Sequence, residues 1–232
     1  MLLKKLLPLC VIALSIQSIL CTPLHAQSLS HSPDAKRNNT IEVAYKTFYS
    51  HTRKLSGDDI TALRFAFGFT NIRQPDSLCQ LTNAFIRTQK VNIDLAVTPE
   101  QRFSIPTEKA LKLAEAKLVI DVVEPVNQCD LNVQIETLPE YLNVQYSQQE
   151  LEFIEQQYMA FFDEMGGFMS FMMPTVSGLQ IRFAEQSLNQ QLDADLAIVQ
   201  GILRIPHAKL ASISTLQLPE KPLRITALTE SK

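Results

Sequence analysis

Apolar residues along this chain recur mostly at every second position, in short runs broken by Gly, Pro, Asn and Asp. That alternation predicts short, half-buried β-strands. Leu63, Phe65, Phe67 and Phe69 alternate with small or polar residues, as one face of a strand requires. Comparable runs lie at residues 41–45, 81–88, 93–97, 117–123, 129–135, 179–183, 196–198, 202–205 and 213–218. Residues 102–105 start another short strand before Pro106, and 107–116 reads either as a helical turn or as the approach to the next strand. Residues 48–55 predict a short helix that Ser56-Gly57-Asp58 ends, and Pro219 and Pro222 stiffen the tail.

One segment breaks this rhythm. Residues 147–174 hold five of the six methionines and five of the twelve phenylalanines. At about 100° per residue, Leu151, Ile154, Tyr158, Phe161, Phe162 and Met165 fall within an arc of roughly 100°. Glu152, Glu155, Gln156, Asp163 and Glu164 lie off it. Ser147 with Glu150 three residues on forms a capping box. Gly166-Gly167 would cost about 2 kcal/mol inside a helix, so the helix is expected over 147–165, with the two glycines as a hinge. Some eight to ten short strands and one helix predict an α+β class. It is mainly antiparallel β, a sandwich or split sheet, with one long amphipathic helix packed on the sheet. The apolar arc should be buried against strand residues such as Phe65, Phe67 or Ile181.

The first residues bear on compartment. Lys4 and Lys5 precede an uncharged apolar run, and Pro23-Leu24-His25-Ala26 follows, which is the layout of a cleavable secretory signal peptide over residues 1–26. A retained membrane anchor is the competing reading; Ser15, Gln17 and Ser18 within the run argue against it. Residues 27–39 are polar and form a flexible leader, and 40–228 form a single β-rich domain. Cys10 and Cys21 leave with the signal, so Cys79 and Cys129 remain. In the oxidising periplasm they are expected to form one disulfide. The chain-entropy model gives such a crosslink roughly 4 kcal/mol.

Composition then removes whole classes of function. There is no Trp, which excludes Trp-lined carbohydrate platforms. Between Leu118 and Ile181 there are ten Asp and Glu and no Lys or Arg. This stretch is a solvated acidic face, or a surface for a basic partner or a divalent cation. Its sign argues against nucleic acid and against anionic lipid surfaces. His-Glu-x-x-His, the Gly-x-Ser-x-Gly elbow and phosphate-cradling glycine loops are missing from the sequence. Asp58-Asp59 and Asp193-x-Asp195 read as turn residues, and His51 as a partly buried packing residue. No cofactor or metal is expected, and no transmembrane anchor after signal cleavage.

The remaining candidate site is the run of Met165, Phe168, Met169, Phe171, Met172 and Met173. These side chains either fill a core face or edge an apolar pocket for a peptide or lipid. A third reading gives Met165, Met169, Met172 and Met173 to Cu(I). Val43-x-Tyr45-x-x-Phe48-Tyr49, Phe103-x-Ile105-Pro106, Cys129-Asp130-Leu131 and Leu218-Pro219-x-x-Pro222-x-Arg224-Ile225 resemble a family of exported Gram-negative proteins. That family is classed as a domain of unknown function. The resemblance covers most of the mature chain; it implies export and a compact domain, and brings no activity or site with it. The reading reached is a periplasmic, non-enzymatic binding or envelope-accessory module, its partner a peptide, lipid or envelope protein. The alternative is an envelope hydrolase assembled from distant residues, which His51 or His207 beside a carboxylate in a pocket would favour.

Overall fold

The computed structural model describes residues 39–55, 59–166 and 174–230. Strand β1 (Thr40–Ala44) runs into helix α1 (Tyr45–Thr52), followed by β2 (Leu63–Asn71), β3 (Gln74–Leu78), β4 (Leu81–Arg87) and β5 (Asn92–Asp94). Helix α2 (Lys109–Leu113) precedes β6 (Lys117–Val122), β7 (Cys129–Thr137) and β8 (Gln145–Ser147), and β8 leads directly into α3 (Gln148–Gly166). Then come β9 (Thr175–Arg182), β10 (Gln190–Asp193), β11 (Leu196–Val199), β12 (Ile202–Pro206), α4 (His207–Leu210), β13 (Thr215–Gln217) and β14 (Arg224–Glu230). The strands form four sheets, ordered β1-β6-β4-β5, β3-β2-β7, β10-β11-β12-β9-β14 and β13-β8. All their pairings are antiparallel. The chain is therefore mostly antiparallel β, with one long helix packed on the sheets.

Strand β2 is the seam of the core. It pairs with β7 without a slip from Leu63↔Thr137 to Asn71↔Cys129. Its phenylalanines meet other rings: Phe67 meets Phe48 edge-on at 5.1 Å, and Phe65 meets Phe161 of α3 at 5.9 Å. The expected half-burial understates this strand, because Ala66 on the opposite face is also buried. A Cβ added at Gly68 would lie 3.0 Å from the Gln101 carbonyl oxygen. The backbone of the 98–103 segment lies against that face, and Phe103 bridges to Phe67.

Helix α3 starts as its capping box dictates. Ser147 Oγ accepts from the Glu150 amide at 3.3 Å, and the Glu150 carboxylate accepts from the Ser147 amide at 2.8 Å. The Ser147 amide, and then its hydroxyl, donate to the Glu150 carboxylate and hold that carboxyl below its ordinary value. Leu151, Ile154, Tyr158 and Phe161 are buried, while Phe162 and Met165 are partly buried against the same core. Polar groups of the helix go inward with them. Gln157 Oε1 accepts from the Thr61 and Ala62 amides, and its Nε2 donates to the Asp59 carbonyl. Tyr158 Oη donates to the Ile225 carbonyl at 2.7 Å and sits 3.0 Å from Thr137 Oγ1. One phenol thus ties the end of β7 to the start of β14.

The crosslink is present: Cys79 and Cys129 are disulfide-bonded, with Cα atoms 6.1 Å apart, within the reach of such a bond. Cys129 opens β7 as expected. Cys79 lies in the connection where the chain leaves β3 for β4, not at a strand start. Other expectations also need correction. The run at 93–97 pairs only as far as Asp94, and its strand is exposed. Residues 74–78, which lie outside the alternating runs, carry β3, and the tail expected to be merely stiffened by prolines carries β14, paired along β9. Asn39, assigned to the leader, already bonds to Val122 and Val123. The signal peptide, the rest of the leader and Gly167 lie outside the described residues.

Candidate functional site: a cleft between two strand edges

Of the six residues expected to bind a ligand, the structure describes Met165, which packs partly buried against the core. Phe168, Met169, Phe171, Met172 and Met173 lie outside the described residues. The residues around the helix end define a site that the sequence did not show. Strand β7 ends the three-stranded sheet and β14 ends the five-stranded one. The two lie side by side, and among the described residues no ladder of hydrogen bonds joins them.

Between them is a cleft of about 510 Å³. Residues 133–135 of β7 form one wall and 226–229 of β14 the other, with Tyr158 and Phe162 of α3 between. Strand edges carry backbone N–H and C=O groups that a neighbouring strand would use. Gln134 adds a buried side-chain carbonyl, Oε1, without a partner among the described residues. The cleft therefore offers apolar side chains and hydrogen-bonding groups together. Burial pushes the Tyr158 phenol well above its ordinary value, so it stays a neutral donor. A smaller cavity of about 250 Å³ lies at the other end of the helix, beside Tyr141 and Phe153.

The features weighed for catalysis or metal binding resolve as follows. His207 Nδ1 lies 2.8 Å from Glu155 Oε2, so one histidine does sit beside a carboxylate. Glu155 is buried and its Oε1 has no partner among the described residues, whereas the His207 side chain is 69% exposed. Neither lines the cleft. The sequence placed Glu155 on the solvated side of α3; its position over α4 buries it instead. His51, expected to be partly buried, is exposed on α1. Asp193 and Asp195 hold the Lys209 ammonium, at 3.7 and 3.1 Å, so these two carboxylates are paired with a cation of the chain itself. Cys79, Cys129 and Glu124 cluster with metal-ligand spacing, but both sulfurs are committed to the disulfide. The acidic central stretch is not uniformly a solvated face either, since Glu136 is buried against Arg64.

Fold and site together define a mainly antiparallel β protein with a peptide-sized cleft floored by its one long helix. The chain belongs to the DUF2987 family of proteins of unknown function, whose model matches residues 37–183. No curated protein and no solved structure matches it. The β7 wall and the helix fall within the matched residues, and β14 lies beyond them.

Proposed function

We propose that this chain is an exported periplasmic binding or envelope-accessory module, and that the cleft between β7 and β14 takes an extended apolar peptide. The observation that carries this reading is the pairing of two unladdered strand edges across one apolar-floored gap. An extended peptide laid along the gap gains main-chain hydrogen bonds from the edge groups and seats alternate side chains on Phe162 and its neighbours. The walls are three and four residues long, so they match a stretch of about 10–14 Å at roughly 3.3 Å per residue. In the sequence the Met/Phe run from Phe168 to Met173 lies between α3 and β9, and methionine suits a surface that must adapt to its ligand. Export is supported by the charged, then apolar, N-terminal run and by a buried disulfide.

The test uses Nile red, a neutral apolar dye. Saturable fluorescence enhancement by the purified protein, lost in Leu228→Asp and Met169→Lys with circular dichroism unchanged, is the expected result. No enhancement, or equal enhancement in both variants, removes the cleft reading. Mass spectrometry of the envelope fractions should find an N-terminus near Gln27 in the soluble periplasm.

A second reading rests on the His207–Glu155 pair, whose carboxylate orients an exposed imidazole as hydrolases require. Loss of a hydrolytic activity in His207→Ala with Nile red binding retained would favour it.

A further inference from the structure

A second cavity, of about 430 Å³, shares no lining residue with the cleft. It is polar, and three arginines line it: Arg102 from the segment crossing β2, Arg182 at the end of β9, and Arg224 at the start of β14. Arg182 and Arg224 are direct cross-strand partners. Like charges in that position are unfavourable, so the sheet carries a repulsion that something must offset. Glu100 offsets part of it, pairing with Arg224 at 2.7 Å. Arg182 has no ion pair among the described residues, and Arg102 reaches only the Ala66 carbonyl, at 3.5 Å. The Nε groups of all three are buried and lack a partner among the described residues. Native structures rarely leave buried donors unmet, and each unmet one calls for an explanation.

We infer that this cavity binds the phosphate group of a small hydrophilic molecule, with Arg102, Arg182 and Arg224 as its ligands. Two carboxylates, Asp76 and Glu100, share the lining with the three guanidinium groups, leaving one positive charge in excess. That balance suits a single anionic group. One fork of one arginine satisfies a carboxylate's two oxygens, whereas a phosphate offers three and occupies several forks. The cavity is far larger than a phosphate, at about 30 Å³ for each water it displaces, so the ligand has a body. Asp76, Glu100 and Asn132 accept from hydroxyl groups on that body. Burial, and then the charge of a neighbouring arginine, holds Arg102 and Arg224 below the ordinary arginine range. A bound anion relieves both effects.

Calorimetric titration of the purified protein at fixed ionic strength tests this. Inorganic phosphate, glucose 6-phosphate and citrate are added in separate arms, and flotation with phosphatidylglycerol vesicles forms a fourth. Saturable binding of inorganic phosphate or glucose 6-phosphate is expected, weakened at least tenfold in Arg182→Gln and unchanged in the exposed control Arg204→Gln. Binding confined to vesicles, with the same dependence on Arg182, assigns the phosphate to a lipid headgroup. If Arg182→Gln does not fold, Arg102→Gln and Arg182→Lys replace it, the latter keeping the charge and losing the fork. Absence of binding in all arms, citrate binding as tight as phosphate, or equal weakening in Arg204→Gln would overturn the assignment.

Discussion

At the scale of single residues, Tyr158 adds to its burial two hydrogen bonds that an apolar side chain could not make. Its proton goes to the Ile225 carbonyl, and the Thr137 hydroxyl donates to its oxygen. Tyr158→Phe keeps the ring and leaves both groups buried and unmet, which should lower stability by about 1–3 kcal/mol in urea unfolding. The sign of its pH dependence follows from its raised value. The contribution is fully present below the ordinary tyrosine value of 10 and is lost as pH rises above it, so the variant should lose less stability than the parent in alkaline solution. Ser147 and Glu150 behave oppositely. The folded value of Glu150 is depressed, so its part of the cap is present above the ordinary 4.5 and fades as pH falls through the depressed value. Ser147→Ala should cost about 1 kcal/mol at neutral pH and less at pH 3, measured by thermal unfolding.

At the scale of elements, α3 was legible because its signals are local. A capping box fixes its start, and a 3.6-residue period sorts Leu151, Ile154, Tyr158 and Phe161 to one side. Phe161 meets Phe65 as the burial of that arc requires, and Phe161→Ala should cost about 3–5 kcal/mol through lost contact and a cavity. Glu155 was not legible, because its burial depends on α4, which arrives from fifty residues further along the chain. The strands divide in the same way. Phe65, Phe67 and Phe69 announce β2, whereas β10 is polar and three of its four residues are exposed. Pro75 hid β3, an edge strand that takes its hydrogen bonds from β2 only, where proline is tolerated; Pro219 and Pro222 drew attention away from β14, which itself holds no proline. The disulfide was legible from its count and compartment, and it pins the passage from one sheet to the next. Cys79→Ser should lower stability by about 2–5 kcal/mol, read from the shift in denaturant midpoint at unchanged slope.

At the scale of the whole molecule, neither proposed binding surface could be read from the sequence. The cleft depends on β7 and β14 lying side by side, about ninety residues apart in the chain. The arginine cavity needs Arg182 opposite Arg224, and that requires the register of a strand the alternation pattern does not reveal. Of the Met/Phe run only Met165 lies among the described residues, and it does not line the cleft that Phe162 floors. Entry of a ligand between the two strand edges is read most directly by a Nile red titration followed through the amide chemical shifts of isotopically labelled protein. Saturable changes at 133–135 and 226–229 are expected, with the amides of Arg102 and Arg182 unmoved. Changes centred elsewhere, at the small cavity beside Tyr141 for example, or the absence of any saturable change, would contradict such entry.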